Sequence, residues 1–336
     1  MASKREILIT VPFSAEALER IKAVSPQIEV TSTTLDGQWP EERTTKAEVI
    51  YTTGTVPPLE LAPNLRWAHS HWAGVEQFVG SPLWNSEVAI TNTSGIHAPN
   101  MGQYTMAMIL AWANRVPAWI RQQQEGQWPA RRREQFTSDE LRGRTLGIIG
   151  YGSIGREIAR LATTFGMEIL VTKRDARRVN DEGYNLPGYG DPTGDLPRRI
   201  YPPEATHSMV GECDYIVITL PLTTSTHHMF DEAMFRAMKP TCFVVNVGRG
   251  GIIKEPDLIR ALQKGWIAGA GLDVFEEEPL PEDSPLWGLE NAIISPHVSG
   301  FTNAYEERAV DLFVTNLERY LAGQSLLNAV NRETEY

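Results

Sequence analysis

Short apolar runs alternate with amphipathic stretches along almost the whole chain, the pattern expected of parallel strands joined by crossover helices. In the first hundred residues the runs predict strands at Ile7–Val11, Ile28–Thr31, Val49–Thr52, Leu65–His69 and Val88–Thr91. Between the first two, Ser14 is placed to cap a helix whose Ala17, Leu18, Ile21 and Val24 share one apolar face. A second series follows at Leu146–Ile149, Glu168–Thr172, Tyr215–Leu220, Phe243–Val247, Ile267–Leu272 and Ala292–Ser295. Two longer helical patterns, Asn100–Gln124 and Asn303–Leu321, flank it. The expectation is an α/β chain of two doubly wound parallel-sheet domains, the second inserted into the first, with the long helices crossing between them. Residues 1–100 and 299–336 would form one domain and residues 101–298 the other. Asp175–Pro203, rich in Gly, Pro and charge, reads as an exposed loop.

Composition adds exclusions. With 336 residues, 42% hydrophobic and 22% charged, the chain is long enough for two ordinary globular domains. The apolar run behind Met1–Glu6 is too short for a signal peptide, and no run approaches the roughly 18 residues of a membrane span. Cys213 and Cys242 lie in or beside apolar runs and read as reduced core thiols. These features predict a cytoplasmic protein with no membrane partner. A net charge of −11 speaks against nucleic acid as a partner, and Arg131–Arg133 reads as a solvated turn. His69, His71, His97, His207, His227 and His228 form no metal-spaced cluster with cysteines or carboxylates, so no metal is expected.

The first chemical signal is Gly150-Tyr151-Gly152-Ser153-Ile154-Gly155, between the buried run Thr145–Ile149 and a helical pattern over Arg156–Phe165. In that setting every glycine has a role. Gly150 permits the tight turn, Gly152 allows close approach of a pyrophosphate, and Gly155 lets the helix pack on the strand. The helix N-terminus supplies N–H groups and partial positive charge, so Ser153 and Ile154 belong to the same cradle. About 20 residues on, where an acid often meets the ribose 2′-OH of NAD, the chain reads Thr172-Lys173-Arg174-Asp175. Lys173 and Arg174 suit a 2′-phosphate, which favours NADP, while Asp175 keeps NAD open.

Three further segments follow in order: Phe243–Gly250 with its Gly248-Arg249-Gly250 turn, Gly271–Pro279 with Asp273 and Glu278, and Ile294–Gly300 with Ser295-Pro296-His297. Together with the glycine turn they resemble the D-isomer-specific 2-hydroxyacid dehydrogenase family, over nearly the whole chain and most densely from Gly143 to Gly300. The resemblance implies a Rossmann cofactor domain inserted into a flavodoxin-like substrate domain, and a homodimer whose cleft closes by domain rotation. It implies hydride transfer between NADP or NAD and the C2 carbon of a small 2-keto or 2-hydroxy acid. Catalysis would fall to Arg249, Glu278 and His297. A protonated imidazole suits the developing alkoxide, a carboxylate on its other nitrogen fixes the tautomer, and a guanidinium fork suits the substrate carboxylate.

Further positions carry over from the same family. Asp273 would hold the nicotinamide carboxamide, Leu220, Pro221, Val247, Gly248 and Gly300 would line the cofactor, and Thr226 would contact its phosphate or ribose. Trp72, Ala73 and Gly74 resemble the loop that binds the substrate carboxylate, with a core position for Trp72 equally open. Where relatives carry A-E-H or A-E-L, this chain has Gly102-Gln103-Tyr104. Among family members the expectation is a glyoxylate or hydroxypyruvate reductase; the relay glutamate argues against formate dehydrogenase. Phosphoglycerate dehydrogenase, phosphonate dehydrogenase and a dinucleotide-sensing co-repressor remain as alternatives.

Overall fold

The structure, a computed structural model, describes residues 4–35, 39–181 and 183–334. Contacts divide it into two compact units, Met1–Ile96 with Thr302–Tyr336, and His97–Phe301.

The first unit contains β1 (Arg5–Ile9), α1 (Ala15–Lys22), β2 (Ile28–Ser32), α2 (Glu41–Lys46), β3 (Ala47–Thr52), β4 (Trp67–Ser70) and β5 (Ala89–Thr91). Its sheet is parallel in the order β2-β1-β3-β4-β5, the flavodoxin-like winding. Both faces are covered, so consecutive residues Ile7, Leu8 and Ile9 of the central strand β1 are all apolar and buried. Ile7 and Ile9 of β1 meet Ala17 and Ile21 of α1, and Phe313 and Leu317 of the helix Tyr305–Leu321. Leu8, between them, points to the opposite layer with Ile50, Ala68 and Phe78. Ser14 caps α1 as its position predicts, its Oγ accepting from the Ala17 amide at 3.2 Å.

The second unit contains α3 (Ala98–Ala113), α4 (Val116–Gln124), α5 (Arg132–Gln135), β6 (Thr145–Ile149), α6 (Ser153–Thr164), β7 (Glu168–Thr172), β8 (Arg199–Tyr201), α7 (Thr206–Val210), β9 (Tyr215–Ile218), α8 (Glu232–Ala237), β10 (Phe243–Asn246), α9 (Glu255–Lys264), β11 (Gly269–Leu272) and β12 (Ala292–Ile294). The parallel sheet runs β12-β11-β10-β9-β6-β7-β8, the Rossmann winding extended by one strand. One face packs on α3 and α6 through Met106, Ile109, Ile158 and Ala162, the other on α8 and α9 through Phe235, Leu258 and Leu262. Strand order reverses between β6 and β9, which is where ligands enter doubly wound sheets.

Two local readings change. The single helix Asn100–Gln124 is two, because Arg115 takes a left-handed backbone at φ 57° and Pro117 follows in the first turn of α4. Proline brings no N–H to continue the helix behind it. The stretch read as an exposed loop contains β8, whose Leu170↔Arg199 and Thr172↔Tyr201 pairing completes the edge of β7. Part of that stretch also turns inward. Buried Arg156 of α6 donates to the Asp191 and Val179 carbonyls, and the Tyr151 hydroxyl donates to Asp191 at 2.5 Å. The arginine triplet holds a helical turn, α5, with Arg131 paired to Glu134.

Candidate active site

The glycine turn sits directly after β6 at the switch point. Gly150 is at φ 102°, its N–H donates to Thr172 Oγ1 at 3.1 Å, and its carbonyl accepts from Thr219 Oγ1 at 2.7 Å. A Cβ on Gly155 would stand 2.3 Å from the Gly150 carbonyl oxygen, so only glycine lets α6 start this close to the strand. Beside Gly152 the space is open to 4 Å. Ser153 and Ile154 open α6, whose first-turn N–H groups have no intrahelical acceptor. An open glycine beneath a helix N-terminus fits a pyrophosphate. Lys173 and Arg174 follow β7, with the Lys173 amide bound to the Tyr201 carbonyl at 3.0 Å. Burial lowers the pKa of the Arg174 guanidinium from its ordinary value.

The ends of β9 and β10 close in alongside. Gly248 lies against Leu220, where a Cβ would meet the Leu220 carbonyl oxygen at 2.7 Å. Val247 is buried and its amide reaches the Ile218 carbonyl at 3.2 Å. Past Pro221 the Thr226 hydroxyl donates to the Pro221 carbonyl at 2.7 Å and accepts from the Thr223 amide at 2.8 Å. Much of its hydrogen-bonding capacity therefore builds the turn itself.

Arg249, Glu278 and His297 follow the adjacent strands β10, β11 and β12 at their carboxyl ends. His297 Nδ1 and Glu278 Oε2 are 2.7 Å apart. A carboxylate only accepts, so Nδ1 carries the hydrogen and Nε2 is the nitrogen left to exchange a proton. The other oxygen, Glu278 Oε1, accepts from the Phe275 amide at 3.0 Å, which orients the carboxylate. The Gly248–Gly250 turn packs on that same segment: a Cβ at Gly250 would fall 1.8 Å from the Phe275 carbonyl. Arg249 Nη1 donates to the Gly248 carbonyl at 2.9 Å. Asp273, 1% exposed, accepts from Ser295 Oγ at 2.6 Å and from the Val298 and Ser299 amides at 2.9 Å. The family resemblance points it toward a cofactor; in the structure its carboxylate holds the loop bearing His297. Gly300 ends that loop beside His97.

Trp72, Ala73 and Gly74 belong to the other unit, in the loop after β4. Their carbonyls accept from the Thr93 amide, the Asn92 side chain and the Gln77 side chain, at 3.3, 2.8 and 3.3 Å. The Trp72 amide donates to Ser70 Oγ at 3.2 Å, and the residue is 44% exposed, against a core placement.

Residues 106–299 match the NAD binding domain model of the D-isomer specific 2-hydroxyacid dehydrogenase family. The chain belongs to this family. A glyoxylate reductase of Korarchaeum cryptofilum is 34% identical to this dehydrogenase over 82% of the chain and 78% of its own length. A glyoxylate/hydroxypyruvate reductase B of Yersinia pestis is 32% identical over 81% and 79%. A crystal structure of a D-isomer specific 2-hydroxyacid dehydrogenase family protein from Aeromonas salmonicida superposes with a TM-score of 0.79 at 32% identity, covering 98% of this chain and all of that one. The protein is thus an NAD(P)-dependent 2-hydroxyacid dehydrogenase with two parallel-sheet α/β domains. Among the described residues no helix is long and apolar enough to cross a membrane.

Proposed function

We propose that this dehydrogenase reduces a small 2-keto acid of the glyoxylate or hydroxypyruvate type to its D-2-hydroxy acid, with NADPH the preferred donor. The observation that carries this is the 2.7 Å pair between His297 Nδ1 and Glu278 Oε2. Glu278 fixes the tautomer and offsets the charge of the protonated ring, and His297 Nε2 delivers a proton to the C2 oxygen. A bound nicotinamide supplies the hydride. Arg249 presents its fork to the substrate carboxylate and carbonyl, and the Ala73 and Gly74 amides, with Trp72 beside them, bind the carboxylate. Gly150, Gly152, Ser153, Ile154 and Gly155 cradle the pyrophosphate. Leu220, Pro221, Thr226, Val247, Gly248, Asp273 and Gly300 line the remainder of the dinucleotide.

NADP is favoured because Lys173 and Arg174 stand where a ribose acid would serve NAD. A homodimer is part of the proposal. None of the residues of α4 is buried, and Trp119 and Trp128 are 43% and 85% exposed. A monomer has no evident use for such a surface, and a second copy would cover it. A cytoplasmic setting is supported by the free, buried thiols of Cys213 and Cys242.

The test is oxidation of NADPH and of NADH with glyoxylate, hydroxypyruvate, pyruvate and 3-phosphohydroxypyruvate, and reduction of both oxidised cofactors with phosphite. Fast turnover with glyoxylate or hydroxypyruvate, lost in His297→Ala and Arg249→Ala, is expected. Preference for the phosphorylated substrate or phosphite redirects the assignment, and tight dinucleotide binding without turnover on any of them marks a sensor. Lys173→Asp should move preference from NADP toward NAD.

A further inference from the structure

We propose that Asn100 and Tyr104, one turn apart on α3, are positioning residues that clamp the 295–299 loop and so aim the proton-donating nitrogen of His297. The proposal rests on the function proposed above, since it takes His297 as the proton donor. His297 has a left-handed backbone, φ 52°, directly after Pro296. A residue with a Cβ adopts that conformation only where its surroundings impose it.

Those surroundings are laid out around Asp273. Its Oδ1 accepts from Ser295 Oγ and the Val298 amide, and its Oδ2 from the Ser299 amide, so one buried carboxylate ties both shoulders of the loop. The helix α3 then grips the same two shoulders from outside. Asn100 Nδ2 donates to the Ser299 carbonyl at 2.7 Å. The Tyr104 hydroxyl is hydrogen-bonded to Ser295 Oγ. Serine has one hydroxyl proton, and it goes to Asp273; the Tyr104–Ser295 bond is therefore donated by tyrosine. The result is a one-way chain of donors, Tyr104 to Ser295 to the Asp273 carboxylate. Residues four apart on a helix share a face, which is why one helix reaches both ends of the loop.

Helix α3 is a rigid base for this grip. It lies so close to α6 that a Cβ on Gly102 would stand 2.7 Å from Glu157 Cγ. Gly102 and Tyr104 both have a use here: glycine admits Glu157, and tyrosine supplies the hydroxyl. Glu278 holds the imidazole ring by Nδ1 while the clamp holds the backbone beneath it, and together they set where Nε2 points.

The experiment compares Tyr104→Phe, which keeps the ring, and Asn100→Ala with the unsubstituted protein. Amide hydrogen exchange at Val298 and Ser299 needs no turnover; we expect it to quicken about tenfold in each variant. The kcat for the best keto acid should fall about tenfold, because small misplacement of a reacting group is costly. NADP dissociation constants and the keto-acid KM should stay within about twofold, which separates positioning from binding. Tyr104→Phe/Ser295→Ala should be no slower than the worse single variant, as expected of members of one chain. Unchanged exchange, unchanged kcat, or a loss of dinucleotide affinity matching the loss of kcat overturns the proposal. If exchange quickens while His297→Ala keeps wild-type turnover, the clamp is structural and the failed premise is the proton-donor role.

Discussion

At the scale of single residues, the hydrogen bond between Glu278 and His297 makes one carboxylate oxygen specific in its effect. Glu278→Gln keeps the shape and an acceptor for Nδ1 but removes the charge that offsets a protonated ring. We expect kcat to fall about 10²-fold with dinucleotide affinity unchanged, since general acid catalysis contributes on that scale. Single-turnover rates measured alongside binding check this; a full-rate variant would show that the carboxylate is decorative. Burial governs two other histidines, His69 in β4 and His71 just after it. His69 is fully buried and its pKa is pushed down to about 3, by burial first and His71 second. Burial likewise lowers His71 to about 4, with Glu306 opposing. Both folded-state values lie below the ordinary 6.5. Above that pH both rings are neutral, folded or unfolded, and exert no pH effect. As pH falls from 6.5 toward 4, the unfolded chain takes up protons that the native state excludes. Stability should then drop by about 1.4 kcal/mol per pH unit for each histidine. Melting curves between about pH 7 and 5 would record it, and His69→Gln should flatten the slope; an equally steep slope in that variant would exclude His69 as a source.

At the scale of elements, close approach of backbones decides which substitutions are tolerated. Gly102→Ala drives a methyl into Glu157, which is itself anchored by Arg160 and by the Gly190 amide at 2.7 Å. Overpacking of this kind costs about 1–3 kcal/mol. The expected result is a lower melting temperature of the second unit with the glycine turn still able to bind dinucleotide; a melting temperature equal to wild type would mean that α3 and α6 separate freely. Strands are the most legible elements. Runs such as Glu168–Thr172 stand at their predicted bounds because a strand buried on both faces leaves a continuous apolar signature. Two elements escape the sequence for identifiable reasons. Pro117 signals the break at Arg115, but the apolar face continues across it and masks the signal. The strand β8 has three residues, one of them arginine, and exists because β7 offers an unpaired edge. No local pattern announces that.

At the scale of the whole molecule, the exposed apolar surface carries the remaining prediction. If α4 is part of a homodimer surface, Trp119→Asp and Trp128→Asp together should shift the mass in sedimentation from dimer to monomer without unfolding either unit. A wild-type protein that sediments as a monomer at micromolar concentration refutes the dimer directly. The net charge of −11 does not say which face meets a partner.

The sequence by itself determined the class of fold and the glycine turn, and its resemblance to the family named the three residues proposed for catalysis. Periodicity reports burial, and chemistry that needs a fixed residue type leaves a fixed letter. Only the tertiary structure revealed that Asp273 holds the His297 loop, that Asn100 and Tyr104 grip the same loop, and that Arg156 and Tyr151 draw Asp191 inward. These partners lie 22 to 199 positions apart in the chain or bind through backbone groups that every residue possesses. Such contacts depend on direction and distance in the folded state, and a linear pattern of side chains does not encode either.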